Sequence, residues 1–291
     1  MEKYRNREAA LEERLDDLMS RMTLEEKILQ TDQFFTFDFC DKTAKGRVTK
    51  VRWEDMKSSM HGMSVGSVQL RGCTLIVLVL QNGRPLALTW EQENIPAILE
   101  CWYPGEKGGQ AIAEVLFGKV SPSGRLPMSF PKSVGQVPCN YNRLPGGGKR
   151  YVEMDWEPLY PFGYGLTYTT FEYSNMEVSD TDWTAQEIEN GKTVKVSFTV
   201  TNTGDVEGEE TAQLYVRDCC ASTVKPMREL AGFAKVKLLP GESKRLTFEL
   251  GNRQLRTLNS RYEWHVEPGE FQVMAADNAA NVLLKEGFLI R

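Results

Sequence analysis

The sequence predicts an α/β portion followed by an all-β sandwich, and three observations carry that prediction. Leu75 to Leu80 is a continuous leucine and β-branched run, as expected of a strand buried on both faces of a parallel sheet. A second buried strand at Ile98 to Trp102 leads through a glycine-rich loop into a helix, the strand–loop–helix unit of α/β architecture. From about residue 174 the period changes to two. Val194, Val196, Phe198 and Val200 alternate with polar residues, as do Ala212, Leu214 and Val216, then Leu246, Phe248 and Leu250, then Phe271, Val273 and Ala275. Short alternating strands separated by turn signals at Asn202–Asp205, Pro240–Glu242 and Pro268–Glu270 define a β-sandwich.

Taken in order, the chain opens with an apolar stripe at Leu11, Leu15, Leu18 and Met22, which predicts a helix. Thr23 and Glu26 fit a capping box that starts a second helix. The carboxylates Glu12, Glu13, Asp16 and Asp17 fall on the solvated side of the first helix. Residues 41–60 are polar and unpatterned, and read as a surface excursion with a turn at Gly46. Val65 to Leu70 reads as a short strand. Only Arg71 to Thr74 separate it from Leu75, too few for the crossover of a dozen or more residues that parallel neighbours need. Asn82-Gly83 makes a turn, and Pro85 to Trp90 resumes an extended path. The helix expected over about 108–118 has Ile112, Val115 and Leu116 as its apolar face and Gly118 as its stop. The proline- and glycine-rich stretch from 121 to Gly165 reads as a tie between domains.

Composition excludes several functions. The 291 residues carry 35 Lys+Arg against 40 Asp+Glu, a formal net charge of −5, so no basic excess serves a phosphate backbone and nucleic acid is not an expected partner. No apolar run approaches the roughly 18 residues of a membrane span, and the charged start MEKYRNREAALEERL is not a signal peptide. The expected location is cytoplasmic, or periplasmic or secreted if a leader has been removed. Cysteines 40, 73, 101, 139, 219 and 220 contain no C-x-x-C, and the only histidines are His61 and His265. No zinc site and no cofactor is expected. Cys219-Cys220 read as two reduced thiols at a strand end rather than a vicinal disulfide.

The chemistry these residues offer is sparse. Pro145 to Lys149 resembles a phosphate loop, but Arg143 and Arg150 stand where a glycine and a Ser/Thr are needed. Asp180 and Asp182 beside Trp183 read as an exposed edge. The better candidate is the loop after Ile98–Trp102, since ligands of α/β sheets gather at the carboxyl ends of strands. There Trp102 and Tyr103 offer sugar-stacking faces, and Glu106 lies near a helix N-terminus that favours its charge.

Several strings together resemble glycoside hydrolase family 3, in the bacterial β-glucosidase branch with a C-terminal fibronectin III-like domain. Leu18 to Lys27 (LMSRMTLEEK) resembles the motif leading into the family's barrel, and Gly62 to Leu70 is similar to its first barrel strand. Asn82 to Leu88, Trp102 to Gly109 (WYPGEKGG) and Val120 to Pro127 resemble the last part of its α/β sandwich domain. Pro158 to Tyr168 (PLYPFGYGLTY) resembles the tie into the third domain. Leu214 to Asp218, Glu229 to Phe233 and Val266 to Glu270 look like the fibronectin III-like domain.

The resemblance implies three parts: 1–73, N-terminal helices with a remnant of the barrel start; 74–173, the C-terminal part of the α/β sandwich domain with its linker; and 174–291, a fibronectin III-like β-sandwich. It also implies an internal gap near Cys73–Leu75 of about 400 or more residues, on ordinary domain sizes. The family's aspartate nucleophile and acid/base glutamate would both lie in that gap. No residue here inherits either role, although a retaining glycosidase needs two carboxyl groups about 5–5.5 Å apart. The expected function is therefore a β-glucosidase relative that is catalytically silent. The alternatives are an active O-glycosyl hydrolase completed by another chain, or a sugar-binding or protein-interaction module. Expected partners are β-linked glucosides or oligosaccharides, with self-association through exposed sheet edges such as Leu75–Leu80.

Overall fold

The computed structural model describes residues 13, 20, 40–42, 48–51, 76–146, 152 and 154–291. The predicted capping box at Thr23, the strand at Val65–Leu70, the turn at Gly46 and the glycines at 147–148 lie outside the described residues. The chain forms two compact units, Met1–Arg84 with Thr89–Val120, and Pro85–Leu88 with Ser121–Arg291.

In the first unit, β1 (Cys40–Lys42) pairs antiparallel with β2 (Val48–Val51) across a bulge at Asp41/Lys42. A hairpin thus stands where the polar sequence suggested an irregular excursion. β3 (Val77–Leu80) and β4 (Ala97–Glu100) pair in parallel, Val77 opposite Ala97 and Leu80 opposite Glu100. The backbone N–H of Cys101 extends the ladder to the Leu80 carbonyl at 2.9 Å. Val79 and Leu80 are buried, as the β-branched run requires. Residues 81–96 are long enough for the crossover, and they contain α1 (Thr89–Asn94). Thr89 and Trp90 are therefore helical rather than extended, and Asn94 Nδ2 donates back to the Trp90 carbonyl at 2.8 Å. α2 (Gly108–Leu116) buries Ile112. Gly118 stops it with φ +73°, the left-handed conformation a glycine enters at no steric cost.

The second unit is a sandwich of a three-stranded sheet, β5-β6-β9, and a four-stranded sheet, β13-β12-β7-β8. The first comprises β5 (Phe171–Ser179), β6 (Val194–Asn202) and β9 (Ser243–Leu250). The second comprises β7 (Gly208–Asp218), β8 (Glu229–Leu238), β12 (Gly269–Ala276) and β13 (Val282–Ile290). All pairings are antiparallel. The alternating residues of the sequence face inward: Val194, Val196, Phe198, Val200, Leu214, Val273 and Ala275 are fully buried in one core. Burial of this kind stabilises by about 1.5–3 kcal/mol per large side chain. Tyr173, Phe198 and Phe248 stack in series at centroid spacings of 5.6 Å.

Connections are tied by side chains. Asn202 is fully buried, accepting from Thr169 Oγ1 at 2.6 Å and donating from Nδ2 to the Val206 and Leu238 carbonyls. α3 (Ala185–Glu189) opens with a capping box between Thr184 and Glu187 and seats Ile188 in the core. α4 (Asn252–Leu255) leads into a small hairpin of β10 (Thr257–Leu258) and β11 (Trp264–His265). Asp180 and Asp182, the carboxylates beside Trp183, pair with Lys195 and Arg291 on the surface, so the exposed-edge reading holds. Cys101, Cys139, Cys219 and Cys220 are free thiols.

The stretch from Ser121 to Tyr168 packs on the sandwich as a strap. Leu126 N–H donates to the Tyr164 carbonyl and its own carbonyl accepts from Gly163 N–H, both at 2.8 Å, and Phe130 pairs with Tyr160. Its Tyr141 stacks on Phe162 at 4.4 Å and meets Tyr215 edge-on at 5.9 Å. β5 begins at Phe171, ahead of the boundary expected at 174.

Candidate functional site

The candidate loop leaves the carboxyl end of β4, where the parallel pair places it. Its anchor is Glu100, a residue that sequence reasoning passed over. Glu100 Oε1 accepts the backbone N–H of Trp102 at 2.8 Å, and Oε2 accepts Asn82 Nδ2 at 3.0 Å. Asn82 follows β3 and Glu100 ends β4, so one carboxylate joins the carboxyl ends of both strands. A carboxylate closing the apolar string Ala97-Ile98-Leu99 is the signal that could have found it.

That bond turns the chain sharply. Trp102 has φ +51°, a left-handed conformation uncommon for a bulky residue. The turn leaves Trp102 half-buried and sends Tyr103 outward, with 82% of its surface exposed. The Tyr103 ring lies along the backbone of Gly83, where a Cβ would come within 2.8 Å of two of its ring carbons. Glycine at 83 therefore makes room for Tyr103. Glu106 is exposed one residue before Lys107, the N-cap of α2, whose side chain makes no capping bond. The three predicted residues thus share one loop: Trp102 and Tyr103 flank its turn, and Glu106 stands apart at the helix entrance.

The electrostatics follow from burial. Partial burial pushes the Glu100 carboxyl above the ordinary glutamate range, against the opposing effect of the bonds from Trp102 N–H, Asn82 and Cys101 N–H. Burial, with the Glu100 charge beside it, pushes the neighbouring Cys101 thiol up to about 11, so it is not a nucleophile near neutral pH. A raised carboxyl favours its protonated form in the fold. Its contribution to stability is present below the ordinary range and is lost as pH rises through the raised value. Glu100→Gln is therefore expected to flatten the stability of this unit above about pH 4. Glu100→Ala leaves Trp102 N–H and Asn82 without their acceptor, and is expected to cost about 1 kcal/mol. It should also shift Trp102 fluorescence, which a pH series of urea unfolding would read out.

Among the described residues, no three His, Cys, Asp or Glu side chains group to hold a metal, and no helix is long and apolar enough to cross a membrane.

The described residues thus comprise a parallel strand pair with a loop at its carboxyl end and a strapped β-sandwich. Residues 64–168 match the glycosyl hydrolase family 3 C-terminal domain, and residues 210–279 match the fibronectin type III-like domain. By these two domains the chain belongs to glycoside hydrolase family 3. A β-xylosidase of Formosa agariphila is 48% identical over 202 residues, covering 68% of this chain and 27% of that protein. A periplasmic β-glucosidase of Salmonella typhimurium is 44% identical over 218 residues, covering 71% of this chain and 28% of that protein. Among solved structures, a β-glucosidase of Erythrobacter marinus superposes with TM-score 0.69 at 42% identity, over 74% of this chain and 28% of that one. A Listeria innocua β-glucosidase in complex with glucose superposes with TM-score 0.69 at 32% identity, over 84% and 33%. The chain spans little more than a quarter of the curated relatives it matches.

Proposed function

We propose that this chain is a β-glucosidase-related segment that holds a sugar ring at the Trp102–Tyr103 loop without cleaving the glycosidic bond. The observation that carries the reading is the share of the relatives that is present: just over a quarter of each, falling in the C-terminal and fibronectin-like domains. Cleavage with retention needs a nucleophile and an acid/base carboxyl about 5–5.5 Å apart. The carboxylate that anchors the loop, Glu100, is committed to Trp102 N–H and Asn82, and Glu106 stands apart at the entrance of α2. Glu100 positions the loop and has no lone carboxylate task left over.

The ligand class follows from chemistry and kinship. An exposed tyrosine and a half-buried indole at the carboxyl end of a parallel strand offer apolar faces to the C–H side of a pyranose. The Listeria innocua relative is described in complex with glucose. The experiment has two arms. The purified chain is incubated with nitrophenyl β-glucoside and β-xyloside, and no turnover is expected. Turnover that survives purification and is lost on changing a single carboxylate would overturn the silent reading, and a second chain completing the site would then be sought. Glucose or cellobiose at millimolar concentration should shift tryptophan fluorescence, and Trp102→Ala should abolish the shift. A wild-type chain that gives no shift retires the binding reading.

A further inference from the structure

We propose that the β10–β11 hairpin of the fibronectin-like sandwich is a second carbohydrate-binding surface, one that docks a neutral β-glucan chain. This goes beyond the loop at Trp102, because it rests on other residues in the other compact unit.

The hairpin displays aromatic surface that the fold does not use. Trp264 is 57% exposed and Tyr262 85% exposed, and Val224 beside them is 70% exposed. The neighbourhood of Val224 is set by hydrogen bonds. Thr223 Oγ1 bonds Thr257 Oγ1 at 3.0 Å and the Leu258 carbonyl at 3.1 Å, and Lys225 Nζ donates to the Arg256 carbonyl at 3.0 Å. Val224 is therefore pinned along β10, whose Leu258 pairs with Trp264. These bonds and the strand pairing place the three exposed apolar residues at the same end of the sandwich, and clustered apolar exposure on a surface marks a binding site more often than a scatter of single residues does.

The loop that carries the patch is held firmly. Asn259 Oδ1 accepts the backbone N–H of Arg261 at 2.9 Å and of Glu263 at 3.0 Å, while its Nδ2 donates to the Glu263 carboxylate at 3.1 Å. Tyr262 N–H closes the turn on the Asn259 carbonyl, and Tyr262 sits at φ +63°. A bulky residue held left-handed is strained, and such strain persists where the surroundings over-determine it. Here the result is an outward tyrosine. Arg256 lies over the Trp264 ring at 4.4 Å, which fixes the orientation of the indole.

Charge decides the ligand. The polar groups around the patch already have partners: Arg261 pairs with Glu263 at 3.3 Å, His265 Nε2 lies 2.9 Å from the Glu267 carboxylate, and the Arg256 guanidinium lies over the Trp264 ring. A surface whose charges answer one another does not select an ion. It offers aromatic faces ringed by hydrogen-bonding groups, which suits a neutral polyhydroxylated chain. Protein partners need about 20–30 residues a side, far more than this patch supplies. A single glucan strand needs only an aromatic platform and a few polar groups.

The test is native electrophoresis of the full chain through gels containing soluble mixed-linkage β-glucan. The expected result is at least a twofold loss of mobility relative to a glucan-free gel. In a Trp102→Ala background, which removes any contribution of the loop site, the retardation should persist, Tyr262→Ala and Trp264→Ala should restore mobility, and Trp264→Phe should keep most of the retardation. Tyr262 is almost wholly exposed, so its variant folds whether or not the Trp264 variant does. No retardation of the wild type, equal retardation by dextran, or retardation lost only in Trp102→Ala would each overturn the proposal. Because the Trp102 loop is read by glucose-dependent fluorescence, failure of one site leaves the other measurable.

Discussion

Arg125→Met is expected to destabilise the sandwich unit by about 3–5 kcal/mol, the penalty for stripping one partner from a buried ion pair. Arg125 lies in the strap and Glu210 on β7, and their side chains are 10% and 2% exposed. Arg125 Nη2 bonds the Glu210 carboxylate and Nη1 bonds the Gly165 carbonyl, while Tyr173 Oη donates to the other Glu210 oxygen at 2.8 Å. Remove the guanidinium and a carboxylate is left inside a sandwich with one hydroxyl for company. The intact pair is nevertheless not a large net gain. Burial pushes Glu210 above the ordinary carboxylate range even though Arg125 and Tyr173 oppose it, and Asp277 adds to the rise. Arg125 Nε also has no hydrogen-bond partner. Desolvation thus opposes the charged form of Glu210 more than its partners favour it, and a buried pair of this kind is expected to add little net stability. The expected signature is non-additive: Arg125→Met combined with Glu210→Met should recover most of the loss. The sign with pH follows. A raised carboxyl stabilises below the ordinary range and loses that contribution as pH rises through its folded value, so the double variant should show the flatter pH profile. Chemical denaturation of the four proteins at two pH values checks both statements. A double variant no more stable than Arg125→Met would show that the pair is a net stabiliser.

This network also marks where reading the sequence stops. The sandwich was legible because period-two alternation is a property of neighbouring residues: Val194 to Val200 declare an inward face without knowledge of the partner sheet. Arg125 and Glu210 are 85 residues apart, and nothing local in either segment announces that a strap arginine enters the sheet. The hairpin at Cys40–Val51 was hidden because its residues are mostly polar, and pattern arguments see strands through burial. At the candidate loop, residue types were readable but the backbone was not. Trp102 and Tyr103 were named for their rings. What orients them is a left-handed Trp102 held by Glu100, and single residues in that conformation leave little trace in sequence unless they are glycine or asparagine. Trp264 carries no local signal either: nothing beside it in the sequence separates an outward indole from an inward one, and the structure shows it largely exposed.

The largest expected effect is on the sandwich without its strap. A protein of residues 121–291 should unfold as one cooperative unit, whereas 169–291 should lose at least about 5 kcal/mol, a sizeable part of a domain's usual total. The reasoning runs through the outer face of the four-stranded sheet. Tyr215, Met274, Ala276 and Ala279 are buried there, with Tyr141 and Phe162 of the strap packed against them. Uncovering that face returns apolar side chains to water at about 1.5–3 kcal/mol for each large one. Polar groups are stranded with it. Gln213 Nε2 donates to the Gly163 carbonyl, Leu230 N–H to Tyr141 Oη, and Ala279 N–H to the Phe162 carbonyl. Glu210 also loses Arg125, the loss already weighed above. Gly163 shows how closely the strap sits. It has φ +79°, and a Cβ there would collide with the Gln213 amide. Gly163→Ala in the full chain should therefore loosen the strap in the same direction by a smaller amount. Calorimetry and a fluorescent apolar-surface dye measure both. Equal unfolding midpoints for 121–291 and 169–291, with no dye bound by the shorter protein, would mean the strap merely lies on a sandwich that is complete without it. Loss of the midpoint with strong dye binding would place the folding boundary at Ser121, so that the stretch read from sequence as a linker is a structural layer of the fibronectin-like domain.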